Sequence, residues 1–176
     1  MDRENASFQK ALASVQAFTE TRLIPIQLPW GEKAAFQGVI DLLEMKAYKG
    51  DGKTSEAIPA DLQKAAEDAH KNLVEIAAEG DDTLMEKYFD KGELSHEEIL
   101  KGLAAGILKN AFVPVLVSAA SAEIGIGPML DTIISLMPTP LTAPAVIAKG
   151  KAGDEELKPV DSGPLATYVW KTTADP

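Results

Sequence analysis

The run Phe112-Val113-Pro114-Val115-Leu116-Val117 constrains this chain most. It is short and continuously apolar, with no polar residue alternating through it. That is the pattern of a strand covered on both faces. Such a strand belongs to a parallel sheet with helices on either side. No second run of this kind stands out, so the remaining strands are expected to lie in a longer polypeptide. Ser118-Ala119-Ala120-Ser121 follows directly. Small residues at the carboxyl end of a parallel strand admit a ligand to the backbone, and this is where open α/β sheets bind nucleotides. An ordinary strand-to-helix loop has the same composition.

The rest of the chain alternates between helical and β-like patterns. Asp2 or Asn5 is placed to cap a first helix with the stripe Phe8, Leu12 and Val15. Arg22 to Pro29 reads as one strand, its two prolines suiting an edge. A turn at Trp30-Gly31-Glu32-Lys33 leads into a β-like run from Phe36 to Leu43, where Gly38 marks a bulge or a close backbone approach. Met45 to Tyr48 extends the small sheet, and Lys49-Gly50-Asp51-Gly52-Lys53 reads as a hairpin turn. Pro59 opens a long helix with the stripe Leu62, Ala65, Ala66, Ala69, Leu73, Ile76 and Ala77, which stops at Gly80. Leu84, Met85, Tyr88 and Phe89 mark a second helix. Ser95 to Glu98 is a capping box opening a third, with Ile99, Leu103, Ile107 and Leu108 as its stripe and Asn110 as its stop. Pro128 starts the last helix, which ends before Pro138. Pro138 to Pro144 and the polar stretch to residue 163 read as a linker. Leu165 to Trp170 reads as a final strand without a partner.

Charge is unevenly placed. Of the net −10, residues 56–98 hold −9, from 13 acids and 4 bases. Such a lobe attracts basic partners most strongly at low salt. It disfavours a stand-alone DNA binder or an anionic membrane surface. A solvated helical surface is the plainer reading. The chain has no cysteine, which excludes disulfides, thiol chemistry and Cys-based zinc sites. With no signal peptide and no apolar run near the spanning length of about 20 residues, a cytoplasmic setting is expected.

Few motifs carry chemistry on their own. Ala47-Tyr48-Lys49-Gly50-Asp51-Gly52-Lys53-Thr54 approximates a phosphate-binding loop, but such a loop must open a helix at its end. Pro59 follows too soon for that, and the hairpin is the simpler reading. His70 and His96 have no metal-ligand spacing and read as helix-surface residues. Ser118 and Ser121 lack a nucleophile context.

Taken together, the residues resemble translation elongation factor G, the ribosomal translocase GTPase. Met1-Asp2-Arg3 is similar to the tail of that family's Asn-Lys-x-Asp guanine motif. Ile26-Gln27-Leu28-Pro29, Phe36-x-Gly38-Val39-Ile40-Asp41-Leu42 and Met45-Lys46-Ala47-Tyr48 resemble the sheet of its inserted subdomain. Asn72-Leu73-Val74-Glu75-x-Ala77-Ala78-Glu79 and Leu84-Met85-Glu86-Lys87-Tyr88 resemble the helices. Val117-Ser118-Ala119 is similar to the second guanine loop, and Pro128 to Leu141 to the last G-domain helix and its exit. Leu165-Ala166 to Asp175-Pro176 resembles the start of a β-barrel domain. Ser121-Ala122-Glu123-Ile124-Gly125 stands where the family has a basic Asn-Lys-Gly stretch, and the join Arg22-Leu23-Ile24 is short. Both departures point to a divergent paralogue.

The resemblance implies an α/β fold: part of a phosphate-loop GTPase domain, incomplete at both ends, with an α+β insert. Its parts are a G-domain helix (1–22), the inserted subdomain (23–110), the closing strand, guanine loop and helix (111–140), a linker (141–163) and the start of a barrel (164–176). It implies guanine recognition by Asp2, Ser118 and Ala119. Asp2 would accept from the base N1–H and N2–H groups, a pair that adenine lacks, and the Ala119 N–H would donate to O6. GTP or GDP is the implied ligand, with Mg²⁺ held by residues outside this chain. Without phosphate loop or switch segments, no GTP hydrolysis and no tight binding are expected of these residues alone. The acidic helix face of Asp61, Asp68, Glu75 and Glu79 is implied to meet the basic C-terminal domain of the ribosomal stalk protein, with the chain a monomer. Local pairing of Asp61 with Lys64, and of Glu67 or Asp68 with Lys71, is the competing reading. Two others stand beside the resemblance: an acidic protein-binding module with no nucleotide role, and an NTPase using Lys53.

Overall fold

The computed structural model describes residues 1–150, 153–160, 162–163 and 165–174. The chain is mixed α/β, with five α-helices and strands gathered into small sheets among the described residues. Two units divide at Met137 and Pro138.

The first unit, Met1–Met137, begins with α1 (Phe8–Gln16), whose Phe8 is buried. Neither Asp2 nor Asn5 caps it. Ser7 occupies the cap position without a side-chain bond, and Glu32 Oε1 accepts the Phe8 N–H instead at 2.7 Å. A carboxylate from a distant turn does the work expected of a local cap, because α1 and that turn share a small core.

The stretch 22–29 is not one strand. It divides at Ile26 into β1 (Arg22–Pro25) and β2 (Gln27–Trp30), which serve different sheets. β2 pairs antiparallel with β3 (Gly38–Asp41), and β3 with β4 (Lys46–Lys49). The short β5 (Ser55–Glu56) completes this four-stranded sheet across the hairpin. Gly38 is a close approach: a Cβ there would lie 2.1 Å from the Tyr48 carbonyl oxygen.

Three helices follow: α2 (Ala60–Glu79), α3 (Asp82–Lys91) and α4 (His96–Leu108). Both halves of the capping box at Ser95 and Glu98 form. Leu84 anchors α3, while Phe89 is exposed and does not belong to the apolar stripe. α2 and α4 touch backbone to backbone. A Cβ on Gly102 would sit 2.0 Å from Ala77 O, and one on Gly80 2.2 Å from Gly102 O. The main core gathers Ile26, Ile40, Leu42, Leu73, Ile76 and Leu103 from the small sheet and these helices.

The apolar run forms β6 (Phe112–Val115), parallel to β1 with Arg22 opposite Phe112 and Pro25 opposite Val115. So one partner of this strand lies within the chain after all. The strand is not covered on both faces either: Phe112 is buried but Val113 is 45% exposed. α5 (Ile126–Leu136) closes the unit, opening two residues before Pro128.

In the second unit, Pro138–Pro176, the stretch read as linker holds a hairpin, β7 (Val146–Gly150) with β8 (Gly153–Leu157). Leu165 to Trp170 take up no strand, and Leu165, Tyr168 and Trp170 are exposed. A strand needs a partner for its backbone groups, and none among the described residues reaches this segment. Asp175-Pro176, part of the barrel resemblance, lie outside the described residues.

Candidate functional site

Two hydrogen bonds from elsewhere in the fold hold the start of the loop after β6, and a third anchors one of the donors. Val117 N–H donates to Gln27 Oε1 at 3.2 Å, inside the core. The Met1 nitrogen donates to Ser118 O at 3.0 Å, and Lys33 N–H donates to Met1 O at 3.0 Å. The start of the chain is thereby stitched between the turn at residue 33 and the loop. Asp2 Oδ1 lies 3.6 Å from the same Met1 nitrogen, with its side chain one-third exposed. Asp2 and Ser118, 116 positions apart in sequence, therefore stand beside one atom and share one edge of the molecule.

Ala119 behaves differently from expectation. Its N–H donates to Ile124 O at 3.0 Å and its carbonyl accepts the Ile124 N–H at 3.2 Å, an antiparallel bridge that closes the loop on itself. The residue is buried against Phe8, Phe36, Val39 and Val117. Its N–H is already committed and is not presented to a ligand. The next amide, on exposed Ala120, donates to no acceptor among the described residues.

The far end of the loop rests on the hairpin turn. Gly125 N–H donates to Gly50 O at 2.9 Å, and Gly127 N–H lies 3.3 Å from Asp51 O. Gly125 has φ +75°, and a Cβ there would meet Val117 O at 2.8 Å and Val39 at 2.9 Å. Only glycine fits such a position. The turn itself is a hairpin and not a phosphate cradle. Asp51 Oδ1 accepts the Lys53 N–H, and the Lys53 ammonium pairs with Asp51 at 2.6 Å. That ammonium bond, with the backbone N–H, holds the Asp51 carboxyl below the usual range, and the pairing raises Lys53.

Asp61, Asp68, Glu75 and Glu79 are all exposed along α2. Glu79 pairs with Arg22 at 3.4 Å, and Glu75 accepts from the Tyr88 hydroxyl at 3.5 Å. Neither Asp61 nor Asp68 has an ion pair among the described residues, and the expected partners Lys64 and Lys71 do not close on them. The acidic charge of this face is left largely open to solvent.

A second polar cluster was not read from the sequence. Asp41, Glu44, His96, Asp131, Thr132 and Ser135 line a cavity of about 160 Å³ between the small sheet, α4 and α5. Asp41 is 6% exposed, and burial raises its carboxyl, partly offset by the N–H groups of Glu44 and Leu43 bonded to Oδ1. His96 Nε2 lies 3.4 Å from Glu44. His70 is not a plain surface residue: its Nδ1 lies 2.6 Å from Leu42 O. Among the described residues no three His, Asp or Glu side chains converge as metal ligands.

No protein-family model matches the chain. Its fold is similar to the crystal structure of ttk003000868 from Thermus thermophilus, at a TM-score of 0.70 and 19% sequence identity over 88% of this chain. The chain spans 29% of the length of that protein.

Proposed function

We propose that the chain is the base-reading portion of an elongation-factor-G-like translational GTPase, a partial phosphate-loop G domain carrying an inserted subdomain. The observation that carries this reading is the bond from the Met1 nitrogen to Ser118 O, which sets Asp2 beside the loop after β6. One purine edge can then face both. Asp2 accepts from N1–H and N2–H of guanine, and the Ala120 amide, in place of Ala119, donates to O6. Ser118 and Ala119 shape the loop that brings the amide there. GTP or GDP is the ligand. The phosphates and Mg²⁺ belong to parts of the longer protein, so these residues bind nucleotide weakly and do not turn it over. The acidic face of α2 supports docking of a basic protein, in this reading the ribosomal stalk's C-terminal domain.

The test is a nuclear magnetic resonance titration of the chain with GMP and AMP at millimolar concentrations. GMP is expected to move the Asp2, Ser118 and Ala120 amides more than AMP does. Asp2→Asn should cancel that preference and favour XMP, because the amide NH₂ can donate to the oxygen that xanthine carries at C2. Equal responses to GMP and AMP in the unaltered chain would refute guanine reading.

A further inference from the structure

Gln27 is the one polar residue between Ile26 and Leu28, and it is completely buried. Its Nε2 is the only buried side-chain nitrogen or oxygen among the described residues that lacks a hydrogen-bond partner. A buried donor without an acceptor is a standing penalty, and methionine or leucine at the same strand position would avoid it. What glutamine supplies in return is Oε1, the acceptor for Val117 N–H. That amide lies beyond the end of β6 at Val115, so the β1–β6 ladder provides it with no carbonyl. Gly50 O holds the other end of the loop through Gly125 N–H. The small sheet therefore grips the loop at both ends, by one side chain from β2 and one carbonyl from the hairpin.

We propose that Gln27 is a positioning residue for base readout, a role that rests on the guanine reading above. It acts through Val117: the bond fixes where the chain leaves β6, and so the distance from Asp2 to the amides after Ser118. Loss of this bond should loosen the loop while leaving the core intact, because the neighbours Ile26 and Leu28 remain.

The experiment uses the whole chain with two variants. Gln27→Met keeps the length and removes the acceptor. Gln27→Glu keeps the acceptor; its buried carboxyl, when neutral, carries one O–H in place of the Nε2 donor. Circular dichroism first establishes that each is folded. In Gln27→Met, hydrogen exchange at Val117 should quicken and GMP affinity should fall roughly three- to tenfold, the worth of one neutral hydrogen bond, with AMP unchanged. At about pH 5, where burial keeps that carboxyl neutral, Gln27→Glu should restore both readouts. A folded Gln27→Met protein with unaltered GMP preference overturns the proposal, as does a folded Gln27→Glu protein that loses the preference equally at the pH where its carboxyl is neutral. Should Gln27→Met not fold, exchange in the unaltered chain decides: Val117 must be better protected than Ser118 and Ala120, or the proposal fails. If the unaltered chain shows no preference for GMP over AMP, the guanine reading itself falls and takes this role with it.

Discussion

Replacing Gly102 by alanine tests the contact that positions the acidic helix. In the middle of a helix, alanine ordinarily gains about 1 kcal/mol over glycine. Here the added methyl would lie 2.0 Å from the carbonyl oxygen of Ala77 and 2.7 Å from its carbon. Both atoms are backbone of α2 and cannot swing aside, so the two helices must part. Overpacking of this kind costs about 1–3 kcal/mol, and a clash with rigid backbone belongs at the upper end. The balance is a loss of roughly 2 kcal/mol. For a unit of this size each kcal/mol moves the midpoint by about 2–4 °C, so Gly102→Ala should melt about 4–8 °C lower by circular dichroism at neutral pH. Gly106→Ala is the control. Its methyl would meet the edge of the Phe112 ring at 2.5 Å, a side chain able to shift, and its loss should be smaller. If Gly102→Ala melts at or above the unaltered chain, α2 and α4 do not approach as described.

Two further outcomes concern acid and caps. Burial raises the Asp41 carboxyl above its ordinary value of 3.8. Between that value and the raised one, the folded state holds a proton that the unfolded state releases, so stability falls as pH rises through this window and stays lower above it. Asp41→Asn keeps the acceptor for the Leu43 and Glu44 N–H groups and removes the charge. It should raise the melting midpoint at about pH 7 and give no gain near pH 3; equal midpoints at both pH values would contradict this. Ser95→Ala removes the oxygen that accepts the Glu98 N–H and should cost about 1 kcal/mol, seen as a lower denaturant midpoint with unchanged slope; an unmoved midpoint would deny the cap its role.

The sequence carried the local structure well and the long-range structure poorly. The α4 start was readable because Ser95 and Glu98 act within one turn. The hairpin at Lys49–Lys53 was readable because turn chemistry is local, and Gly38 because a glycine inside a strand marks a close approach. The division at Ile26 was not, since Leu23, Ile24, Leu28 and their neighbours are equally apolar. Only a partner some 90 residues away separates β1 from β2. Phe89 misled by helical spacing, whereas its exposure depends on what α3 lacks as a neighbour. At the candidate site, Ser118 and Ala119 stood out as small residues at the end of an apolar strand, but only the family resemblance joined them to Asp2, since nothing in the spacing does. The commitment of the Ala119 N–H was hidden because it depends on the loop folding back to Ile124. Gln27 was hidden because a single polar residue among apolar ones looks like the solvent side of an alternating strand, and the signal available was only the match to Ile26-Gln27-Leu28-Pro29.

The seat of the hairpin on α5 has an evolutionary consequence. The joint consists of main-chain atoms and of hollows left by absent methyl groups: Gly50 and Asp51 offer carbonyls, while Gly52 and Gly127 leave room for Pro128 and for the Asp51 oxygen. The joint itself uses main-chain hydrogen bonds, while the Asp51 carboxylate holds the shape of the turn by accepting the Lys53 N–H. A lone extra carbon at residue 52 or 127 would wedge the small sheet away from the helix it leans on.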